Sequence, residues 1–445
     1  MRKTAGLFLI LCLLARLAPA LEREPAEVFA GRRARLMKSL PNGVTVLFGY
    51  TAAEGESLRN PFRQQSDFYY LTGWNEPGAI LMLIPPPSER NSPAYSEVSQ
   101  MPREILFLPA RDSVEERWTG VKSGPYDEGV REKAGFQVVL GTEIFEKELA
   151  SAVTGFGRIY TLKPRPHAAD REPVPSRYQT LEKITPLAEI GDAAQAIAAL
   201  RMVKSPGEIA LIQKATDATV AAHLAAWRRA RPGLYEYQVA ATMLSILFDR
   251  GCERTAYSPI VGAGINSTIL HYPENSARMD SGQVLLMDVG GEYSMYATDI
   301  TRTIPVGGKF SPRQRELYDV VLGAQKAVLA AIKPGMTLGR SGGNSLHQIA
   351  FQYINTHGKD REGNPLGKYF IHGIGHHVGL EVHDPSTPGA ELAPGMVITV
   401  EPGVYIPEEK IGIRIEDIVL VTDTGAKVLS AALPREAEEI ERLMR

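Results

Sequence analysis

The feature that most constrains this chain is a repeat. The segments "HYPENSARMDSGQVLLMDVG" (271–290) and "HDPSTPGAELAPGMVITVEPG" (383–403) both open on His and place Pro two residues later. Both then run through Gly-x-Val into a strand ending on an acid, with 17 residues from His271 to Asp288 and 18 from His383 to Glu401. After each acid come a glycine-containing turn and a second strand bearing another acid, Asp299 in "MYATDITR" and Glu416 in "GIRIEDIVLV". The preceding helices repeat as well. Ser205-Pro206-Gly207-Glu208 is a capping box with proline at the first helical position, and that helix stops at Arg231-Pro232-Gly233. A second helix starts near Ser311-Pro312 and stops at Lys333-Pro334-Gly335. Each stop leads into another helical stretch, 235–250 and 345–357. The reading is a duplicated helix–hairpin unit.

Duplication has a chemical consequence. Alternate residues of a strand share a face, so two hairpins about an approximate two-fold would aim Asp288 and Asp299, with Glu401 and Glu416, at a common axis. Four converging carboxylates cannot all stay ionised without counter-charge. Metal ions supply it, and hard oxygen ligands plus an imidazole suit two divalent ions, Mn²⁺, Co²⁺ or Zn²⁺. A thiolate site is excluded, because the chain has only Cys12 and Cys252. Beside the second copy, "HGIGHHVGLEVHD" (372–384) gathers His372, His376, His377 and His383, four of nine histidines. A helical zinc motif would have Glu after the first His, where Gly373 stands. Two glycines also weaken a helix. A strand or turn is expected, in which one of His372 and His376 reaches a metal. The glycine spacing does not fit a dinucleotide loop either.

Composition bounds the rest. At 445 residues the chain should hold two or three domains, on a prior of roughly 100–200 residues each. A net charge of −2 gives no global reason to expect nucleic acid or an anionic membrane as partner. Arg2 and Lys3, the apolar run 5–15 and Ala18-Pro19-Ala20 read as an export signal, residues 1–20, cut after about Ala20. The run is shorter than the roughly 20 apolar residues a membrane span needs, so the mature chain is expected free of the membrane, in a periplasm or secreted. Residues 21–190 read as an α/β domain. Its strands are placed at 44–48, 79–84, 105–108 and 158–162, its helices at 113–118, 127–135 and 142–153. The proline-rich stretch 163–186 reads as a connection or exposed loop. Residues 191–445 form the duplicated α+β domain.

These motifs resemble a known family. The histidine segment, with "LMDVGGEYSMYATDITRT", "VEPGVYI" and "GIRIEDIVLV", is similar to the creatinase/aminopeptidase or pita-bread fold, and most of all to its aminopeptidase P and prolidase branch (M24B). "FRQQSDFYYLTGWNEPGAILML" (62–83) and "RDSVEERWTG" (111–120) resemble the leading domain of aminopeptidase P.

The resemblance implies a dinuclear metallopeptidase that cleaves the N-terminal Xaa-Pro bond of peptides with proline in second position. It makes Asp288, Asp299, His376, Glu401 and Glu416 the metal ligands, with Asp299 and Glu416 bridging and Mn²⁺ the expected ion. Glu401 would pass a proton towards the leaving nitrogen, while His372 and His383, with His271 opposite, would face the substrate and stabilise developing charge. Arg414, two residues before Glu416 and on its face, would stand at the substrate wall and hold neighbouring carboxylates. His377 is read as structural. A homo-dimer or homo-tetramer is the family habit. A prolidase confined to Xaa-Pro dipeptides shares all five ligands and stays open as an alternative. A metal-free creatinase-like enzyme or binding protein would replace ligands that are intact here.

Overall fold

A computed structural model describes residues 22–55, 61–86, 103–163 and 175–444. The expected export signal lies outside the described residues. Among them, no helix is long and apolar enough to cross a membrane.

The leading part is a mixed sheet of β1 (Val44–Phe48), β2 (Ile80–Ile84), β3 (Arg103–Leu108), β4 (Val138–Gly141), β5 (Arg158–Thr161) and β6 (Glu189–Asp192), in spatial order β4-β3-β2-β1-β5-β6. Side-chain alternation divides its residues between two cores. Val44, Val46, Met82, Ile105 and Phe107 pack with Phe145 and Leu149 of the helix Phe145–Val153. Leu47, Leu81, Leu83, Leu106 and Leu108 belong instead to the core that runs through the rest of the molecule. Burial on both faces is why these strands read as unbroken apolar runs.

Three local expectations change. The helix placed at 113–118 is one turn, Glu116–Thr119, and that at 127–135 is Val130–Ala134. The proline-rich connection contains a helix, Pro175–Ile184. Proline at a first helical position sacrifices no intrahelical hydrogen bond, so Pro175 opens a helix rather than forbidding one.

The second part realises the repeat. Ser205 and Ser311 cap Pro206–Arg229 and Pro312–Ala331, and each capping box closes: Glu208 N donates to Ser205 Oγ at 3.1 Å, and Gln314 N to Ser311 Oγ at 3.3 Å. These helices pack on Glu236–Asp249 and Leu346–His357 respectively. The strands β7 (Arg254–Thr255), β8 (Ile260–Ala263), β9 (Val284–Asp288), β10 (Gly291–Tyr293), β11 (Tyr296–Ala297) and β12 (Thr301–Pro305) form the first copy's sheets. The second copy contributes β13 (Val397–Val400), β14 (Gly403–Ile406), β15 (Ile411–Arg414), β16 (Asp417–Val421) and β17 (Ala426–Val428). β9 pairs antiparallel with β12, Asp288 opposite Thr301, and β13 with β16, Val400 opposite Asp417. This is the duplicated α+β architecture. The second acid of each copy does not lie within a strand, as the repeat had implied. Asp299 sits between β11 and β12, and Glu416 between β15 and β16, where each long hairpin arm passes from one sheet to another.

Candidate active site

All nine residues singled out as metal ligands or substrate contacts line one cavity of about 550 Å³: His271, Asp288, Asp299, His372, His376, His383, Glu401, Arg414 and Glu416. Strand ends and sheet-switching breaks deliver the four acids. The histidine segment delivers the imidazoles without a helix, bound by backbone to β13: Thr399 N donates to His376 O at 2.9 Å, and Glu401 N to Ile374 O at 2.9 Å. Gly375 permits this approach, because a Cβ there would stand 2.1 Å from the Thr399 carbonyl oxygen. Gly290 meets the same demand in the first copy, 1.9 Å from Thr298 O.

Asp299, His376 and Glu416 each offer a ligand atom, and the three atoms lie within 4.8 Å of one another. His376 Nε2 stands 3.4 Å from Asp299 Oδ2 and 3.6 Å from Glu401 Oε1. Its Nδ1 lies 3.2 Å from His377 O, which orients the ring with Nε2 towards the carboxylates. Tyr257 O–H stands between Asp288 Oδ1 and Asp299 Oδ1, 2.5 Å from each. Thr301 Oγ1 donates to Glu416 Oε2 at 2.6 Å.

The electrostatics are those of a group short of positive charge. Burial and the neighbouring Asp299 push Asp288 up, against Arg414. Burial, reinforced by Asp299, Glu401 and Asp288, holds Glu416 well above the carboxylate range. Glu401 rises to about 7, through burial first and the Asp299 and Asp288 charges after it, against His376 and Arg414. Burial would depress His376, but Asp299 and Glu401 outweigh it and lift the imidazole to about 9. The same burial, with the neighbouring His376 and His271, keeps His383 down at about 4, so that ring is neutral.

Arg414 is committed to the protein. Its guanidinium donates to Asp288 Oδ2 at 2.5 Å, Tyr405 Oη at 2.8 Å and Thr301 Oγ1 at 3.1 Å. Of the two roles expected for it, holding carboxylates is the one these bonds perform. His372 is also engaged at both nitrogens, Nδ1 with Gly373 O and Nε2 with Tyr405 Oη, each at 2.8 Å. Since Tyr405 accepts from Arg414, its own O–H points to His372 Nε2, and the ring carries its proton on Nδ1. His372 therefore presents no unpaired N–H to a substrate in this arrangement. His383 stands edge-on to His376, ring centroids 4.2 Å apart. His377 is buried, and its backbone bridges to Ile398 and accepts from Asp384 N.

Tyr257, Tyr405, Thr301 and Thr399 were not marked by sequence reasoning. Thr301 and Thr399 lie beside acids in the repeat, two residues after Asp299 and two before Glu401, and same-face spacing could have found them. Tyr257 stands in "TAYSPIV", where nothing local signals a carboxylate partner.

Comparison with known proteins agrees over nearly the whole chain. Residues 210–423 match the model of metallopeptidase family M24, and residues 29–160 that of the aminopeptidase P N-terminal domain. An Xaa-Pro aminopeptidase of Haemophilus influenzae is 36% identical, over 94% of this chain and 97% of its own. Human Xaa-Pro aminopeptidase 3 is 32% identical, over 97% and 86%. The structure of Escherichia coli aminopeptidase P with the inhibitor Pro-Leu superposes with a TM-score of 0.81 at 32% identity, covering 95% of this chain and 99% of that one. With its leading domain, its duplicated catalytic half and these relatives, the chain belongs to the aminopeptidase P family of M24 metallopeptidases, with the pita-bread fold.

Proposed function

We propose that the protein is an Xaa-Pro aminopeptidase that removes the first residue from peptides with proline in second position. The observation that carries this is the convergence of Asp288, Asp299, His376, Glu401 and Glu416 on one buried cavity. The match of residues 29–160 to the aminopeptidase P leading domain favours this reading over a dipeptidase.

The residues fit a pair of divalent cations. Four carboxylates and one imidazole form a hard donor set, and their mutual repulsion draws a proton onto His376 where a metal would serve instead. Asp288 and Asp299 would hold one ion, His376 and Glu401 would serve the other, and Asp299 and Glu416 would be shared. Mn²⁺ is our assignment for the ion. A zinc-substituted Escherichia coli aminopeptidase P with product is among the similar structures, with a TM-score of 0.80. Such ions activate a water as nucleophile near neutral pH and draw charge from the scissile carbonyl.

The chain's own groups do the rest. Arg414 fixes Asp288, and Thr301 fixes Glu416. Glu401, at the cavity wall with Oε1 3.6 Å from His376 Nε2, would take a proton from the attacking water and return it to the leaving proline nitrogen. His383, neutral and bordering the cavity, has an N–H to offer where negative charge develops on the substrate oxygen. His271 closes the wall on the side of the first copy.

Export is part of the proposal, supported by the basic, apolar and small-residue pattern of residues 1–20. A soluble dimer or tetramer salvaging peptides in a periplasm or outside the cell fits it. The test is to strip the mature protein of metal, restore Mn²⁺, and quantify free alanine from Ala-Pro-Ala beside Ala-Pro. Release from the tripeptide supports the aminopeptidase, release from the dipeptide alone makes it a prolidase, and release from neither sinks both.

A further inference from the structure

The segment between Asp288 and Asp299 is an arm. It leaves the cavity along β10, turns at Ser294–Met295 and returns along β11, so both carboxylates stand at its base. Both turn residues have positive φ, +49° and +75°, and neither is glycine. L-residues resist that backbone, and it persists where surrounding contacts hold it. Here much of the hold comes from the leading part of the chain. Glu22 N donates to Ser294 Oγ at 2.8 Å, while Glu253 of the catalytic half accepts Ser294 N at 2.8 Å.

Arg63 does more. Its Nε bonds Glu292 Oε2 on β10 at 2.8 Å, and Nη2 lies 3.5 Å from Met295 O at the turn. The same Nη2 also donates to Leu380 O, between His376 and His383 in the histidine segment. One guanidinium from the leading domain thus grips both the arm and the histidine segment, two segments that line the cavity. The two also touch directly, through Ala297 N to Gly379 O at 2.8 Å.

We propose that Arg63 is a positioning residue for the metal centre: it sets the spacing between the arm carrying Asp288 and Asp299 and the segment carrying His376. This rests on reading those residues as ligands, and it gives the leading domain a part in the chemistry. Arginine suits the task because its planar fork reaches a carboxylate and two carbonyls from fixed directions, which a lysine ammonium cannot.

The experiment uses the full chain, metal-stripped, as wild type, Arg63→Ala, Arg63→Lys and Glu292→Gln. Each is titrated with Mn²⁺ by calorimetry and assayed on Ala-Pro-Ala. Loss of a group bonded directly to a metal ligand typically weakens metal affinity or activity by about 10–100-fold, and Arg63, acting through Glu292, Met295 and Leu380, should sit at the lower end of that range. Arg63→Ala should fall in that range for Mn²⁺ affinity, with kcat lowered and KM nearly constant. Arg63→Lys should recover part of the loss, and Glu292→Gln should move the same way by less. If Arg63→Ala melts earlier yet binds Mn²⁺ and turns over like wild type, Arg63 merely joins domains and the proposal is overturned. Should Arg63→Ala not fold, wild-type Mn²⁺ affinity in both Arg63→Lys and Glu292→Gln overturns it as well. If wild type itself bound no Mn²⁺, the metal reading would fall and take this inference with it.

Discussion

At the scale of single residues, adjacent histidines have opposite fates. His376 points Nε2 at Asp299 and Glu401, whereas His377 turns into the core beside Lys204 and Asp384, where burial and Lys204 hold it down at about 4. His376→Ala should therefore abolish measurable alanine release from Ala-Pro-Ala, while His377→Gln keeps turnover near wild type and loses some stability. Equal losses in the two variants would contradict the assignment. The chain Arg414–Tyr405–His372 gives a second prediction. Tyr405→Phe leaves an Arg414 N–H and His372 Nε2 unpaired in the interior, at a cost of about 1–3 kcal/mol, to be read from urea unfolding. The four acid candidates were legible because the repeat displays them at matched positions, whereas His376 was separated from His372 only by the family resemblance. Tyr257 and Tyr405 were not, because a hydroxyl acquires its meaning from the carboxylate or guanidinium that folding brings to it.

Elements were legible where their ends carry local chemistry. Ser205 and Ser311 each close a capping box, and their helices begin where expected. Ser205→Ala should cost about 0.5–2 kcal/mol in unfolding experiments and leave kcat unchanged. Gly375→Ala should do the reverse: the chain still folds, but a methyl 2.1 Å from Thr399 O pushes His376 away from Glu401, and kcat collapses with the circular dichroism intact. The helix Ala26–Ser39 shows why other elements are hidden. Its buried stripe is Phe29, Arg32, Arg33, Leu36 and Met37, a helical spacing in which two positions are arginine. Their burial makes sense with Glu24, which Arg32 also bonds, and with two carboxylates far along the chain, Glu208, 3.0 Å from Arg32, and Glu104, 2.7 Å from Arg33. Periodicity in apolar residues cannot register a stripe completed by distant carboxylates.

At the scale of the whole molecule, a buried charge network ties the leading domain to the histidine segment. Arg201 reaches Asp67 at 2.6 Å and Asp384 at 2.5 Å, and Lys204 reaches Asp384 at 3.1 Å. Burial alone would raise the Asp384 carboxyl, but Arg201 and Lys204 outweigh it and hold it below its ordinary range. A carboxyl depressed by folding contributes stability that is complete above its unfolded value, near about 4, and lost as pH falls through the folded value. Asp384→Asn should cost about 3–5 kcal/mol at pH 7 by leaving two cations unneutralised. The gap to wild type should narrow as urea titrations move from pH 5 towards pH 3. A gap constant over that range would mean that the carboxylate charge is not what stabilises the contact.

By itself the sequence determined the repeat, the helix caps and the glycine-permitted turns, and with them the duplicated α+β half and its candidate ligands. These follow from local rules: strand alternation, capping, and the reluctance of glycine to continue a helix. Only the tertiary structure decided that Arg414 serves Asp288, that both nitrogens of His372 are engaged, and that Arg63 joins two segments 229 and 317 residues away at Glu292 and Leu380. Such pairings depend on which buried charges and hydroxyls meet, and a polar group's burial is tolerable only beside the partner that satisfies it.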